Sequence, residues 1–355
     1  MAMLRRLAAA VLIIATVGVL LVVAWPQLFG LQRALGVAQL VSLRGAGAVV
    51  AIVIGVVLLV LILLARPFRR LGASLLVLFV AFAAVNGVVL ASRGFANAEP
   101  AAVADSALTV LTWNTLGPAT EPAQIADLAL EQAADIVVLP ETREQDAIAA
   151  AVRLREAGSP MWVLTRAYDQ ISPARSTSLL VSVELGEYEF DASAESTAVL
   201  PTVVATPVDG SGPTIVAVHA VAPMPAQMEN WRSDLDWLAQ SCSGGSVIMA
   251  GDFNATIDHF SGLASGSAEH PLSGDGATDR LAAAAKLGEC TDAAAVAGSA
   301  AVGTWPTSLP PALGAPIDHV LATDDWSVTG LRVIDDLDDA GSDHRPVVAW
   351  LEQKE

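Results

Sequence analysis

The sequence predicts an α/β domain carried behind three membrane-crossing helices. Three observations support this. Residues 7–25, 45–65 and 71–91 are apolar runs, each close to the ~20 residues a helix needs to cross a bilayer. From residue 108 onward, short β-type runs alternate with stretches of helical spacing. The charge changes at the same place. Of 19 Lys+Arg and 37 Asp+Glu, residues 1–100 hold eight arginines and one acid, Glu99, so 11 basic and 36 acidic residues lie beyond. The second part thus carries an excess of 25 negative charges and is a different object from the first.

In order, the first apolar run follows Arg5 and Arg6 and has no Ala-x-Ala cleavage site after it, so it reads as a retained span rather than a signal peptide. Arg66, Arg69 and Arg70 fill the short loop between the second and third runs. The positive-inside rule places that loop and the N-terminus in the cytoplasm, against Arg33, Arg44 and Arg93 on the other side. Three spans then put everything after the third run outside. The stretch 28–43 is apolar with sparse polar residues and is expected along the outer interface. Residues 1–92 therefore read as an anchor, 93–106 as a small-residue linker and 107–355 as one catalytic-sized domain. Within it, strands are expected at 108–114, 135–141, 161–165, 178–183, 198–205, 214–220, 246–252, 317–322, 326–333 and 346–351. Helices are expected at 121–134, 142–157, 225–240 and 279–287. Cys242 and Cys290 fit no zinc pattern, and whether they pair stays open.

The stretch around which this domain is organised reads SVIMAGDFNATIDHF, from Ser246 to Phe260. Val247, Ile248 and Met249 form a buried-strand run, and Asp252 and Asn254 follow it two residues apart. In extended backbone both side chains would point the same way. An Asx-turn closing the strand is the plainer reading, and both stay open. Polar residues recur at other strand ends: Asn114, Glu141, His219, then Asp318 and His319, then Ser342, Asp343 and His344. Singly, each is an ordinary cap or core polar group.

Together, WN, PE, VH, GDFN, IDHV and SDH in that order resemble the endonuclease/exonuclease/phosphatase superfamily, which includes the DNase I-like nucleases. The resemblance spans residues 108–351. It implies a four-layer α/β sandwich, two mostly antiparallel sheets face to face with helices outside. It also implies residue roles. Asn114, Glu141 and Asp343 look like ligands of Mg²⁺ or Mn²⁺, being hard oxygen donors. His344 looks like the base, a neutral imidazole oriented by Asp318. Asp252 would position or activate the attacking water, Asn254 would help hold it, and His219, if protonated, would donate to the phosphate. Arg143 is either a phosphate contact or a solvated first-turn residue. Trp305 either lines the site or packs in the core. His319 reads as structural, and Asp258 and His259 are left over.

The superfamily fold does not choose the substrate. The three spans hold the domain at high effective concentration against lipid head groups. The acidity argues against a protein that coats nucleic acid, whose affinity comes largely from phosphate neutralisation. The expectation is a bacterial multi-pass membrane protein whose outward-facing domain hydrolyses a lipid-linked phosphate or pyrophosphate, such as undecaprenyl pyrophosphate. Its layout resembles the VanJ-type teicoplanin-resistance proteins. An extracytoplasmic nuclease, a phosphodiesterase of phospholipid head groups and a non-catalytic scaffold are the alternatives.

Overall fold

In the computed structural model, residues 2–97, 99–100, 103–104, 106–169, 171–191, 193–265 and 285–354 are described. The chain divides into two units, Met1–Arg93 and Gly94–Glu355.

The first unit is helical. α1 (Ala2–Ala24), α3 (Arg44–Leu64) and α4 (Arg69–Arg93) contain the three expected apolar runs, and α2 (Val37–Ser42) is a short helix between the first two. Three segments are long and apolar enough to cross a membrane: Met3–Ala24, Arg44–Leu64 and Arg66–Arg93. Their surfaces are largely apolar and exposed, as lipid-facing helices require. Arg44 is buried. It donates from Nη1 to the Ala24 carbonyl at 3.1 Å and to Asn86 Oδ1 at 2.8 Å, linking α1, α3 and α4. A charge in such a bundle faces inward and finds polar partners because hydrocarbon offers none.

The second unit has two sheets. The first runs β12-β13-β1-β2-β4-β3, where β1 is Leu108–Thr112, β2 Ile136–Pro140, β3 Met161–Ala167, β4 Ser176–Ser182, β12 Trp326–Val333 and β13 Val347–Gln353. The second runs β5-β6-β7-β8-β11-β10-β9, where β5 is Tyr188–Phe190, β6 Val203–Pro207, β7 Thr214–His219, β8 Val247–Asp252, β9 Lys286–Leu287, β10 Cys290–Asp292 and β11 Asp318–Ala322. Among the described residues, only β1–β2 and β7–β8 form parallel ladders; every other ladder is antiparallel.

Period-two alternation explains the layering. Val110, Ile136, Val138, Leu179 and Val181 of the first sheet meet Val203, Ala205, Ile215, Ala217, Ile248, Ala250 and Val320 of the second in one buried core. The intervening residues Leu111, Val137, Leu139 and Leu180 face the other way. They bury against α5 (Pro122–Glu131) and α6 (Glu144–Glu156) through Ile125, Leu128, Ala147, Ala150 and Leu154. α7 (Met228–Ser241) buries Trp231, Leu235 and Leu238 and is joined to β10 by a Cys242–Cys290 disulfide. α8 (Ile257–Phe260) and α9 (Ala293–Ala297) are short connectors. This is the four-layer sandwich.

Local differences have local causes. β5, β9 and β10 span two or three residues, too few to show periodicity in sequence. The strand expected at 198–205 runs instead as β6, Val203–Pro207. The helix expected at 279–287 lies outside the described residues up to 284, and its end is β9.

Candidate functional site

The core alternation builds the site. Ile215 and Ala217 face the core, so His219, two residues on, faces the same way at the strand end. Ile248 and Ala250 lead likewise to Asp252, and Val320 leads back to Asp318. Registry aligns all three: His219 pairs with Asp252 across the β7–β8 ladder, and Asp318 pairs with Asp252 across β8–β11. In the first sheet Val110 leads on to Asn114, and β2 ends next to Glu141. Residues 342–344 precede β13, whose first residue Val347 pairs with Thr112. Every expected site residue therefore arrives at one end of the two sheets.

The contacts close across the inter-sheet gap. Asn114 Nδ2 donates to Asp252 Oδ2 at 3.1 Å and to Glu141 Oε1 at 3.3 Å. His219 Nε2 lies 4.0 Å from Glu141 Oε1. His344 Nδ1 bonds Asp318 Oδ2 at 2.9 Å, and its Nε2 lies 3.8 Å from Asp252 Oδ2 and 4.0 Å from Asp343 Oδ1. The 342–344 turn is fixed from both sides. Ser342 Oγ donates to the Asn114 carbonyl and accepts the His344 N–H, and Trp113 Nε1 donates to the His344 carbonyl.

The Asp252–Asn254 stretch is not extended. Asn254 turns left-handed, at φ 46°, and its N–H donates to Asp252 Oδ1 at 2.8 Å, the Asx-turn. Its amide then donates to Asp252 Oδ2 at 3.2 Å and to the Ala220 carbonyl at 3.0 Å. The Asx-turn reading is thus the geometry found. Gly251 is required beside it: a Cβ there would meet the Val218 carbonyl oxygen at 2.0 Å. Of the four non-glycine residues with positive φ among the described residues, three are Leu116, Glu141 and Asn254, all at this end. Such conformations cost on the order of 1–2 kcal/mol each and persist where surroundings enforce them.

The electrostatics follow from burial. Burial alone would lower the pKa of His344. The carboxylates of Asp318 and Asp252 outweigh it and push the imidazole up to about 10. The carboxylates around the ring thus favour its charged form over the expected neutral imidazole. Burial, then Asp318, pushes Asp252 up to about 7. Burial also raises Glu141. His219 is pushed down to about 3, first by burial and then by His344, so it is neutral rather than protonated. It can still donate from one nitrogen.

Asp252, Asp318 and His344 each offer a ligand atom within 4.8 Å of the others, so this group can hold a metal ion. Asp318 Oδ1 and Asp343 Oδ1 are buried carboxylate oxygens with no hydrogen-bond partner. Orphaned anionic oxygens of this kind fit a hard divalent cation. Asp343 keeps Oδ1 free because its Oδ2 accepts from Trp305 Nε1 at 2.9 Å. Asn114, expected as a ligand, has its amide nitrogen turned to the two carboxylates, and its Oδ1 accepts from Leu116 N–H at 3.1 Å.

Sequence reading did not find two supports. Trp305, left between lining and core, bonds Asp343. Arg345 is fully buried and donates to the carbonyls of Gly303, Thr307 and Leu309 and to Asp338, fixing the loop that carries Trp305. Only its place directly after SDH could have suggested it. His319 lies outside the cluster, with Nδ1 at 2.6 Å from Asp292 and Nε2 at 2.9 Å from the Ala255 carbonyl. His259 accepts the Thr256 N–H and packs edge-on against Trp231. Arg143 donates to the Ile171 carbonyl at 3.1 Å.

Residues 111–344 match the model of the Endonuclease/Exonuclease/phosphatase family. No curated protein matches the chain. Among solved structures, an endonuclease/exonuclease/phosphatase from Beutenbergia cavernae is 20% identical, covering 70% of this chain and 72% of its own, at a TM-score of 0.48. A 3′ phosphatase from Neisseria is 19% identical over 70% and 100%, at 0.48. An AP endonuclease from Archaeoglobus fulgidus is 16% identical over 68% and 98%, at 0.47.

Proposed function

The chain belongs to the endonuclease/exonuclease/phosphatase family, and from that premise we propose that it is a divalent-metal-dependent phosphohydrolase of the bacterial cell envelope. Its catalytic unit faces outward, and its substrate is a lipid-linked phosphate or pyrophosphate such as undecaprenyl pyrophosphate. The observation that carries the hydrolase reading is the convergence of Asn114, Glu141, His219, Asp252, Asn254, Asp318, Asp343 and His344 at one end of both sheets.

Roles follow from the charges. Glu141 and Asp343 would hold the metal, with Asn114 spacing Glu141 from Asp252. Mg²⁺ or Mn²⁺ there would supply positive charge to the phosphoryl oxygens. Asp252, titrating near neutrality, accepts the proton of the attacking water, and Asn254 holds Asp252 in place. As water oxygen bonds to phosphorus, the bond to the leaving oxygen breaks. His344, an imidazolium fixed by Asp318, donates to the phosphate, and His219 donates as a neutral imidazole.

Three features support the envelope reading. Three helices long and apolar enough to cross a membrane precede the unit. The arginine distribution favours a cytoplasmic N-terminus. The Cys242–Cys290 disulfide belongs to oxidising compartments. The layout resembles that of the VanJ-type proteins, a resemblance that would fit a lipid-carrier substrate.

The test is phosphate release by the full-length protein in detergent with Mg²⁺, offered undecaprenyl pyrophosphate and a plasmid in parallel. Release from the lipid, lost in His344→Ala and on chelation, is expected. Nicking of the plasmid instead, lost in the same variant, would make the protein a tethered nuclease.

A further inference from the structure

Two loops beside the site hold apolar side chains out in water. Leu116 follows Asn114 and is 41% exposed, Tyr168 is 37% exposed and Ile171 is 85% exposed. The loops touch: a Cβ on Gly117 would meet Pro173 Cβ at 2.6 Å. Neither is slack. Asp169 Oδ1 accepts the N–H groups of Ile171 and Ser172, Arg143 Nη2 donates to the Ile171 carbonyl, and Leu116 N–H is bonded to Asn114. Tyr168 is held at both ends, by its backbone N–H to the Arg175 carbonyl and by its hydroxyl to the Thr197 carbonyl, with the Arg175 guanidinium 5.8 Å over its ring. Exposed apolar side chains on two touching loops together offer a surface for an apolar partner.

A cavity of about 200 Å³ is lined by Arg143, Glu144, Thr165, Ala167, Asp169 and Ser176. Arg175 Nε lies 3.1 Å from Asp169 Oδ2.

We propose that Leu116, Tyr168 and Ile171 form a lip by which the catalytic unit docks onto a phospholipid bilayer, with Arg143 and Arg175 at the level of the lipid phosphates. Apolar tips with cations behind them match the order of a bilayer surface, acyl boundary first and phosphates above it. The apolar helices of the same chain make a bilayer the partner it carries with it. The docking deepens the lipid-substrate reading, because it would bring the site over the head groups.

The first measurement is independent of activity. With Cys242 and Cys290 paired, Ile171→Cys gives the full-length protein one free thiol for an NBD label. Val208→Cys serves as the control; Val208 is 53% exposed in the β6–β7 hairpin, at the end of the sheet away from His219. In vesicles of phosphatidylcholine and phosphatidylglycerol, doxyl-labelled lipids are expected to quench the label at 171 and not at 208. Equal quenching, or none at either, overturns the lip. The second measurement is Ile171→Ser. The ratio of hydrolysis of a vesicle-borne pyrophosphate to that of a water-soluble phosphate ester is expected to fall about tenfold, equivalent to ~1.4 kcal/mol, which burial of one isoleucine side chain can supply. An unchanged ratio overturns the docking. Lipid quenching at 171 in a protein inactive on both substrates would keep the lip and discard the phosphohydrolase reading.

Discussion

The disulfide carries a prediction that joins stability to compartment. Cys242 ends α7 and Cys290 begins β10, 48 residues apart, and both are fully buried. In the chain-entropy account, cross-linking a loop of that length removes about 14 cal/mol/K from the unfolded ensemble, or about 4 kcal/mol at 25 °C. For a domain of this size, 1 kcal/mol corresponds to roughly 2–4 °C in Tm, so breaking the bond should lower the transition by about 10 °C. Full-length protein in detergent, followed by tryptophan fluorescence with and without reductant, reads this directly. Trp113, Trp231, Trp326 and Trp350 are buried in the catalytic unit and report its unfolding. The Cys242→Ser/Cys290→Ser variant should melt where the reduced protein does and ignore reductant. In intact cells, the two thiols should resist alkylation until protein is denatured and reduced. A Tm indifferent to reductant would refute the constraint. Thiols that alkylate after denaturation without reduction would refute the outward placement as well.

Two further predictions concern groups that act through others. Trp305→Phe removes the N–H that occupies Asp343 Oδ2 while keeping an aromatic ring. Outer-shell donors of this kind are worth roughly 10–100-fold in metal affinity. The Mg²⁺ concentration for half-maximal activity should rise about tenfold with the fold retained, and an unchanged Mg²⁺ dependence would dismiss the role. Asp234, buried on α7, accepts the Val221 N–H at 2.9 Å, and burial pushes its carboxyl up to about 6. A folded pKa above the unfolded value means the folded state binds the proton more tightly. This contribution to stability is fully present below about pH 4 and is lost as pH rises through about 6. About two pKa units amount to at most ~3 kcal/mol. Denaturant titrations should show Asp234→Asn gaining on the native protein by up to that amount at pH 7.5 relative to pH 4. Parallel pH–stability curves would show that Asp234 does not titrate in this way.

The ends of strands were legible because their signal is chemical as well as periodic. An apolar run that stops at Asn114, Glu141, His219 or Asp252 announces both a buried strand and a polar group at its mouth, and alternation then decides which face that group takes. The membrane helices were legible for a similar reason, since ~20 apolar residues carry their own length standard. What could not be read depends on neighbours distant in sequence. The charge of His344 needs Asp252, Asp318 and Asp343 around one ring, and only the folded chain shows that proximity. Asn254 was left between extended backbone and an Asx-turn, and its hydrogen bonds to Asp252 and Ala220 favour the left-handed turn. Trp305 and Arg345 look like core residues until their donors are traced to Asp343 and to the loop carbonyls.

The apparent conflict between an acidic domain and a phosphate substrate resolves inside the site. Asp252, Asp318 and Asp343 place three carboxyl groups around one imidazolium, with Glu141 and a neutral His219 beside them. By itself that arrangement repels a phosphate, and it is costly to the fold as well. Burial raises Glu141 and Asp252, and oxygens of Asp318 and Asp343 lie buried without partners. Left-handed backbone at Leu116, Glu141 and Asn254 adds strain at the same place. A divalent cation held by Glu141 and Asp343 would offset part of that charge, meet the orphaned Asp343 oxygen and turn the local field toward an anion. The acidity that argues against broad nucleic-acid binding is thus compatible with the proposed phosphate chemistry at this site.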